Sequence, residues 1–246
     1  MSGHSKWATI KHAKGAADAK RGQIFTKLIK EISIAARMGG GDLNGNPRLR
    51  TAVIKARGAN MPKDNIDRAI KKGTGELEGV TYEELTYEAY AGGGVGLLIE
   101  VLTDNKNRAA ADVRNILTRG GGELAKSGSV ARLFKRQGVI SLDGEKYTED
   151  QVMEAAVEGG AEDVSENEGI VVVTSAPEDF EAVMEALNAK SFETLSAEIS
   201  MVAETEIALD NDATAKALRM IDKLEENDDV QNVYHNMALP EGFSPE

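Results

Sequence analysis

The sequence contains no cysteine among its 246 residues. This absence excludes a disulfide framework, a thiol nucleophile and a zinc site built on cysteine. Long apolar runs are also missing, since the most apolar stretch near the start, residues 24–38, is interrupted by Lys27, Lys30 and Glu31. It is too polar for a signal-peptide core, and no other stretch reaches the roughly 18 apolar residues of a membrane span. The cytoplasm is therefore the expected location.

Aromatic residues make up only 4% of the chain, and the first 75 residues contain only Trp7 and Phe25. Phe25 falls on the apolar face of a predicted helix. Proteins that bind single strands without sequence preference stack the bases on aromatic rings. The scarcity of such rings argues against a stacking platform and leaves Trp7 as the single candidate for stacking on a base.

Charge is distributed very unevenly, although the net charge of −12 by itself argues against a nucleic-acid partner. Residues 1–75 contain 16 Lys and Arg against 5 Asp and Glu, whereas residues 76–246 contain 13 against 36. The first part therefore carries a net +11 and the second a net −23. Because a partner meets the local field, the first third favours a phosphate backbone and the remainder repels it.

The first third has the pattern of three short helices behind a polar lead-in, residues 2–22, which is too poor in large apolar residues to bury itself. Apolar residues at three-to-four spacing over residues 25–36 predict an amphipathic helix. Asn46, which precedes a proline, has the pattern of an N-cap for a second helix. Pro62 opens a third helix that closes at Gly73. The narrow apolar stripes predict a small bundle with a thin core and a wide basic face.

After residue 75 the pattern changes to strands that alternate with helices. Two strands and a helix are predicted over residues 85–117, followed by a separate strand from Val130 to Phe134. Residues 135–202 have the order β-α-β-β-α-β, which is that of a ferredoxin-like unit. Its second helix is predicted to open on a capping box formed by Ser175 and Glu178.

The tail beyond residue 202 supplies only one more β-α-β unit, which cannot bury both faces of its own sheet. The segment of residues 76–134 likewise supplies only about half of the elements of a complete α/β domain. The two segments are therefore predicted to pair. We therefore expect an α+β multidomain protein in which a basic three-helix domain is followed by two ferredoxin-like α/β domains, one inserted in the other. The predicted domains are residues 1–75, then residues 76–134 with 203–240, and the inserted residues 135–202.

Three local patterns resemble ligand sites but lack residues that such sites require. Residues 120–127 (GGGELAKS) have an alanine in place of the second glycine of a phosphate loop and follow a helix, so we interpret them as a helix C-cap and turn. Residues 210–221 begin like a calcium loop but lack its glycine and its bidentate glutamate, which leaves a helix N-cap. His4 and His12 have no third ligand at metal spacing, and the only other histidine is His235. No catalytic residue, metal or cofactor is predicted.

The basic residues of the first third are the strongest functional signal, because they continue from the lead-in through all three helices. A solvated tail is the alternative for the lead-in alone, but charge spread over a folded surface is what backbone binding requires. The predicted nucleic-acid-binding residues are Lys6, Trp7, Lys11, His12, Lys14, Lys20, Arg21, Lys27, Lys30, Arg48, Arg50, Lys55, Arg57 and Lys63.

Several strings resemble one known family, and together they run from residue 1 to the last predicted strand. They are Met1-Ser-Gly-His-Ser-Lys-Trp7, Asp18-Ala-Lys-Arg-Gly22, Phe25-Thr-Lys-Leu28, Asn46-Pro-Arg-Leu-Arg50, Asn60-Met-Pro-Lys-Asp-Asn65, Thr103-Asp-Asn-Lys-Asn-Arg108 and Val233-Tyr-His-Asn236. On these strings the chain resembles the YebC/PmpR family, which includes the mitochondrial translational activator of cytochrome c oxidase. Ala13 and Gln23 stand where that family usually has basic residues, which trims the positive face slightly.

The resemblance implies a helical N-terminal domain with two α/β domains and no catalytic residues. It also implies a cytoplasmic, probable transcriptional regulator that binds DNA. Other members act in translation, where they associate with the ribosome and relieve stalls at proline-rich stretches. Two functions therefore stay open: the basic third holds duplex DNA while the acidic domains meet a protein partner, or the same surface holds ribosomal RNA. The absence of a clear helix-turn-helix mildly favours shape or RNA recognition.

Overall fold

The computed structural model describes residues 18–167 and 169–240. Three helices come first: α1 (Asp18–Gly39), α2 (Pro47–Gly58) and α3 (Lys63–Thr74). The rest of the chain alternates strands and helices, in the order β1 (Glu83–Tyr90), β2 (Gly96–Thr103), α4 (Lys106–Gly120), β3 (Glu123–Leu124), β4 (Phe134–Asp143), α5 (Glu149–Glu158), β5 (Ala161–Asn167), β6 (Ile170–Ser175), α6 (Phe180–Ala189), β7 (Thr194–Ala203), β8 (Ile207–Ala208), α7 (Asn211–Glu225), β9 (Val230–His235) and β10 (Met237–Ala238).

The ends of the N-terminal helices follow from their capping residues. Asn46 accepts a hydrogen bond from the backbone N–H of Leu49 as the N-cap of α2, as predicted, and its amide donates to the carbonyls of Ala35 and Gly40. This buried side chain fixes the turn between α1 and α2. The third helix ends at Thr74 rather than at Gly73, because the left-handed C-cap is Gly75.

The core of the helical region is built largely from small side chains, as its narrow apolar stripes predicted. Its buried residues are Ile32, Ala35, Ala36, Leu49, Ala52, Val53, Ala56, Met61, Ile66 and Ala69. Gly73 allows α3 to lie directly on α1, because a Cβ at this position would be 2.3 Å from the carbonyl oxygen of Ser33. The helices therefore pack closely around a thin core and leave most of their long side chains outside.

The first sheet has the strand order β3-β1-β2-β9, and all its pairings are antiparallel. The last long strand of the chain thus lies beside β2, with Val233 opposite Ile99. Helices α4 and α7 cover one face of this sheet, where Ile99, Val113 and Ile221 belong to one buried cluster. Residues 85–117 and the tail beyond residue 202 therefore share a core.

The second sheet has the order β5-β6-β4-β7, again antiparallel throughout. Helices α5 and α6 cover one face, with Ile140, Val173 and Leu187 in the core between them. This β-α-β-β-α-β unit and the helical region before it confirm the predicted α+β fold class. The two sheets meet where Phe134 packs with Leu98 and Tyr234 on the other face of the first sheet.

The separate strand predicted from Val130 to Phe134 is wrong. Residues Ala131–Leu133 form a short 3-10 turn, and Phe134 is already the first residue of β4. The cause is Glu88, whose buried carboxylate accepts hydrogen bonds from the backbone N–H groups of Gly128, Val130 and Ala131. Burial opposes ionisation of Glu88, but these three bonds outweigh it and lower its pKa.

The predicted capping box at Ser175 and Glu178 is also wrong. Ser175 is the last residue of β6, where it pairs with Gly138, and its hydroxyl donates to the carbonyl of Ala176. Helix α6 begins only at Phe180, after an Asp179 N-cap without a side-chain hydrogen bond. A residue engaged in a strand ladder cannot also cap a helix that begins five positions later.

Two other interpretations of local motifs are confirmed. Gly121 adopts the left-handed conformation as the C-cap of α4, so residues 120–127 begin as a helix end. The side chain of Asp210 accepts a hydrogen bond from the backbone N–H of Ala213, which makes it the N-cap of α7. Among the described residues no helix has the length and apolar character needed to cross a membrane.

The helical region is held to the first sheet by a row of donors on one side of α1. Gln23 and Lys27 donate to the carbonyls of Glu226 and Glu225 at the end of α7. Lys30 Nζ lies 2.6 Å from Asp229 Oδ1 and also donates to the carbonyl of Asp228. Gln23 and Lys27 satisfy carbonyls that the end of α7 leaves without partners, and Lys30 holds the residues that follow it.

The strand pairing leads to a test of the proposed inserted domain. Lys135 and Val202 are opposite each other on β4 and β7, so deleting residues 136–201 and joining them through an Asn-Gly turn closes a short hairpin. We expect this variant to unfold cooperatively in urea, because the core shared by β2, α7 and β9 is intact.

A chain truncated after Met201 is the matched comparison, because it loses α7 and β9 instead. We expect it to expose the apolar surface of β2 and to lose the cooperative transition of the first sheet. A truncated chain that unfolds at the same urea concentration as the full chain would show that residues 76–134 fold without the tail.

The contact between Lys30 and Asp229 leads to a second test. Breaking a buried ion pair leaves an uncompensated charge, so we expect Lys30→Met to lower the free energy of unfolding by about 3 kcal/mol. This is the lower end of the usual range, because Arg108 still donates to Asp229. Lys146→Met removes an exposed pair with Glu193 and is expected to leave the urea midpoint nearly unchanged.

The same pair predicts the pH dependence of stability. Burial opposes ionisation of Asp229, but hydrogen bonds from Lys30 and Arg108 outweigh it and lower the pKa of the carboxyl group. Its contribution is therefore present above the unfolded pKa and is lost as the pH falls through the lower, folded pKa. Asp229→Asn should flatten this acid limb of the urea midpoint, and an unchanged limb would contradict the assignment.

Candidate nucleic-acid interface

Five of the predicted binding residues lie outside the described part of the chain: Lys6, Trp7, Lys11, His12 and Lys14. Lys20 is in the first turns of α1. Arg21 follows it and is exposed. The lead-in therefore stays a prediction, and the structure bears on the cations from Arg21 onward.

Lys27 and Lys30 face the first sheet instead of solvent. Lys30 is only 7% exposed, and its ammonium is surrounded by Asp229 and by the carbonyls of Leu102 and Asp228. A phosphate could reach this ammonium only if α1 separated from α7. We therefore leave Lys30 out of the proposed nucleic-acid surface, together with the half-buried Lys27.

Three of the four α2 cations that the sequence singled out, Arg48, Arg50 and Lys55, lie within reach of carboxylates. Arg48 forms a two-pronged contact with Glu31, with nitrogen–oxygen distances of 2.8 and 3.1 Å, and a further ion pair with Glu84. The hydrogen bonds to Glu31 and then to Glu84 raise the pKa of Arg48. This side chain ties α1 and α2 to the start of β1, so it has a structural role.

Arg50 and Lys55 are less constrained. Each lies 3.6 Å from a carboxylate of the second sheet's domain, Glu181 for Arg50 and Glu198 for Lys55. These are long contacts between partly exposed side chains, which solvent weakens. Both cations lie beside acidic side chains, Glu181 and Glu198. These carboxylates reduce the positive electrostatic potential that a phosphate would meet at this part of α2.

The remaining cations of the helical region are exposed, and none forms an ion pair with another described residue. Two of them, Arg57 and Lys63, were among the predicted residues. Four others were counted in the basic total but not selected as site residues: Arg37, Arg68, Lys71 and Lys72. Five of these six cations lie at the end of α2 or on α3, and Arg37 lies in the last turn of α1.

Local structure explains why these side chains share one surface. Asn60 adopts the left-handed conformation with φ of 58°, and the backbone N–H of Met61 donates to the carbonyl of Ala56. This tight turn leaves only five residues between Arg57, near the end of α2, and Lys63 at the start of α3. On α3 the buried Ile66 and Ala69 alternate with exposed cations.

The exposed face of α3 also carries two carboxylates. Asp64 is in the first turn, where it complements the helix dipole, and Asp67 lies one turn further on. Four cations on this helix thus outnumber two carboxylates. The surface retains a net positive charge, which increases toward the end of α3 at Lys71 and Lys72.

The described residues contain no group of three or more side chains arranged to hold a metal ion. His235 is fully buried on β9, and its Nδ1 accepts a hydrogen bond from the backbone N–H of Met237. A nitrogen that accepts such a bond is not presented to a ligand. His4 lies outside the described residues, as does His12.

Comparisons with known proteins cover nearly the whole chain. Residues 5–76 match the family model described as TACO1/YebC protein N-terminal domain, and residues 82–237 match the model described as TACO1/YebC second and third domain. A protein of Treponema denticola is 68% identical over 243 residues, which is 99% of this chain and 98% of the relative. One of Borreliella burgdorferi is 54% identical over 244 residues, 99% of this chain and 100% of the relative.

Both relatives bear the name probable transcriptional regulatory protein. Among solved structures, a conserved hypothetical protein from Aquifex aeolicus matches with a TM-score of 0.83 at 42% identity, and the match covers 93% of this chain and 95% of that one. Two domain models and two relatives of nearly equal length thus agree over the full set of domains. The chain therefore belongs to the TACO1/YebC family.

Proposed function

We propose that the chain is a non-enzymatic transcriptional regulator of the cytoplasm that binds DNA through its helical domain. The observation that carries this proposal is a set of exposed cations that form no ion pair with another described residue: Arg57, Lys63, Arg68 and Lys71. We name this set the α3 surface. The names of the relatives support the regulatory role, and the charge of the first third supports the polyanionic ligand.

The α3 surface is suited to the phosphate backbone rather than to the edges of the bases. Its side chains are long cations on a short helix, and Lys and Arg contacts to phosphates supply most of the non-specific affinity for DNA. Backbone contacts orient a protein on the duplex without reading sequence. The surface therefore explains affinity and orientation, while selection of a target requires further contacts.

The acidic remainder of the chain restricts how the duplex approaches. Residues 76–246 carry a net −23, so a polyanion is repelled from both sheets and their helices. The duplex then lies on the outer side of the helical domain. This arrangement leaves the α/β domains free for a protein partner.

The first test removes the α3 surface. Replacing Arg57, Lys63, Arg68 and Lys71 with Gln should weaken binding to duplex DNA by at least tenfold. The slope of log affinity against log salt should shrink by roughly 0.9 for each phosphate that the variant no longer neutralises. Fluorescence anisotropy of a labelled duplex at several salt concentrations measures both quantities.

A matched control removes the same number of charges elsewhere. Arg114, Arg119, Lys126 and Lys216 are exposed and form no ion pair with another described residue, but they lie in the acidic part of the chain. Replacing these four with Gln should change affinity and salt slope far less. Equal reductions in the two variants would indicate a net-charge effect and would rule out a defined surface. A structured ribosomal RNA in the same assay tests the alternative polyanion.

The second test concerns the lead-in. Replacing Lys11, Lys14, Lys20 and Arg21 with Glu should lower affinity by orders of magnitude, because each change removes a phosphate contact and adds repulsion. The thermal midpoint should hardly move, since surface substitutions usually change stability by less than about 0.5 kcal/mol each. Filter binding and a thermal melt measure the two quantities. Normal binding by this variant would show that the lead-in does not contribute to nucleic-acid binding.

Trp7→Ala then distinguishes the mode of binding. A decrease of about 1–3 kcal/mol in binding free energy would indicate that the indole stacks on a base. An unchanged affinity would assign the lead-in to the backbone alone.

A further inference from the structure

A second feature of the helical domain is a cleft between the end of α1, the end of α3 and the connection to β1. Its volume is about 260 Å³. Arg37 of α1 and Lys72 of α3 line it, together with Leu77, Val80 and Tyr82 of the connection. We name it the connection cleft. None of its residues belongs to the set predicted from the sequence.

Close packing of the two helices brings the two cations together. Gly73 lies against the carbonyl oxygen of Ser33 and the Cβ of Ala36, with 2.3 and 2.8 Å to the position of a Cβ. Arg37 follows Ala36 directly, and Lys72 precedes Gly73. Both side chains therefore start from the point where the helices touch, and both line the same cleft.

The connection holds one wall of the cleft in place. Gly75 turns the chain in the left-handed conformation, and the backbone N–H of Leu77 donates to the carbonyl of Lys71. Gly79 then lies against the aliphatic stem of Lys72, which is 3.1 Å from the position of a Cβ. The stem is thus packed on the backbone, although Lys72 as a whole is exposed.

The cleft differs in charge from its surroundings. No carboxylate lines it among the described residues, although the chain contains 41 Asp and Glu. Neither Arg37 nor Lys72 forms an ion pair with another described residue. A neighbouring cleft on the other side of Tyr82 is lined by several carboxylates, among them Asp104 and Asp112. An anion is therefore attracted to the connection cleft rather than to its neighbour.

The walls add an apolar component. Leu77 and Val80 are 42% and 56% exposed, which is high for large aliphatic side chains in an ordered segment. Tyr82 contributes an aromatic ring that is partly buried. A ligand with an anionic group and a flat apolar portion would match both parts of the cleft, and a volume below the roughly 300 Å³ of small drug sites limits it to one small unit.

We propose that the connection cleft binds a single nucleotide, with its phosphate held between Arg37 and Lys72 and its base against Leu77, Val80 and Tyr82. The nucleotide comes either from the strand bound on the α3 surface or from free solution. The first source rests on the proposed function, because Arg68 and Lys71 of the α3 surface are on the same helix as Lys72. The second source is independent of it.

The test uses the full chain and adenosine 5′-monophosphate, adenosine and inorganic phosphate as probes, with heteronuclear NMR titrations as the readout. The monophosphate should bind more tightly than either fragment, because only it engages both the cations and the apolar wall. Arg37→Gln with Lys72→Gln should weaken its binding at least tenfold. Arg119→Gln with Lys216→Gln removes one Arg and one Lys elsewhere and should leave it unchanged.

A strand that ends in a 5′-phosphate, measured by anisotropy against the same strand with a 5′-hydroxyl, tests the other source. If the monophosphate does not bind but the Arg37 and Lys72 variant loses the preference for the phosphorylated strand, the nucleotide comes from the strand. If neither probe responds to that variant more than to the control, the proposal is overturned. Equal binding of phosphate and the monophosphate would overturn the role of the apolar wall.

These outcomes are distinct from failure of the proposed function. If the chain binds the monophosphate in the cleft but shows no affinity for duplex DNA, the nucleotide site is supported and the proposed function is contradicted. If the α3-surface variant loses DNA binding but the Arg37 and Lys72 variant binds both probes normally, the proposed function is supported and the nucleotide site is contradicted. Thermal melts of both double variants check that the exposed substitutions leave the fold intact.

Discussion

One carboxylate connects three parts of the chain that are far apart in sequence. Asp229 precedes β9 and accepts hydrogen bonds from Lys30 of α1, Thr103 at the end of β2 and Arg108 of α4. Asp229 is only 4% exposed and Lys30 only 7%, so loss of the bond between them is costly, whereas Arg108 donates from the solvent side. The helical domain, the central strand and the returning C-terminal segment thus share one anchoring point. The contacts of Gln23 and Lys27 with the end of α7 and the ion pair of Arg48 with Glu84 add to this attachment.

The cations of the first third divide into two populations with different physical roles. Lys30 and Arg48 hold segments of the chain together, since their partners Asp229, Glu31 and Glu84 lie within hydrogen-bond distance. The exposed cations on and around α3 have no such partners among the described residues. A high positive charge in a sequence therefore overstates the binding surface, because part of that charge joins the domains. Only the remainder is available to a polyanion.

Sequence patterns predicted the parts of the fold that depend on local interactions. The N-caps at Asn46 and Asp210 and the β-α-β-β-α-β order need only neighbouring residues and periodicity, and both are present. The strand at Val130 and the burial of Lys30 depend on Glu88 and Asp229, which are 42 and 199 residues away. No local pattern contains that information. For the same reason, the sequence could not distinguish Arg48 from Arg57. Both are arginines of α2, and only the folded structure shows that Arg48 pairs with Glu31 and Glu84.

The position of β9 has a consequence for synthesis on the ribosome. Strand β2 is buried on both faces, but its neighbour on one side follows more than a hundred residues later, after a complete second sheet. At roughly 5–20 residues per second, that interval lasts on the order of ten seconds. Throughout it, an apolar strand has an open edge of the kind that joins other chains. The β-α-β-β-α-β unit completes its own sheet in that time, so the nascent chain finishes its second sheet before its first.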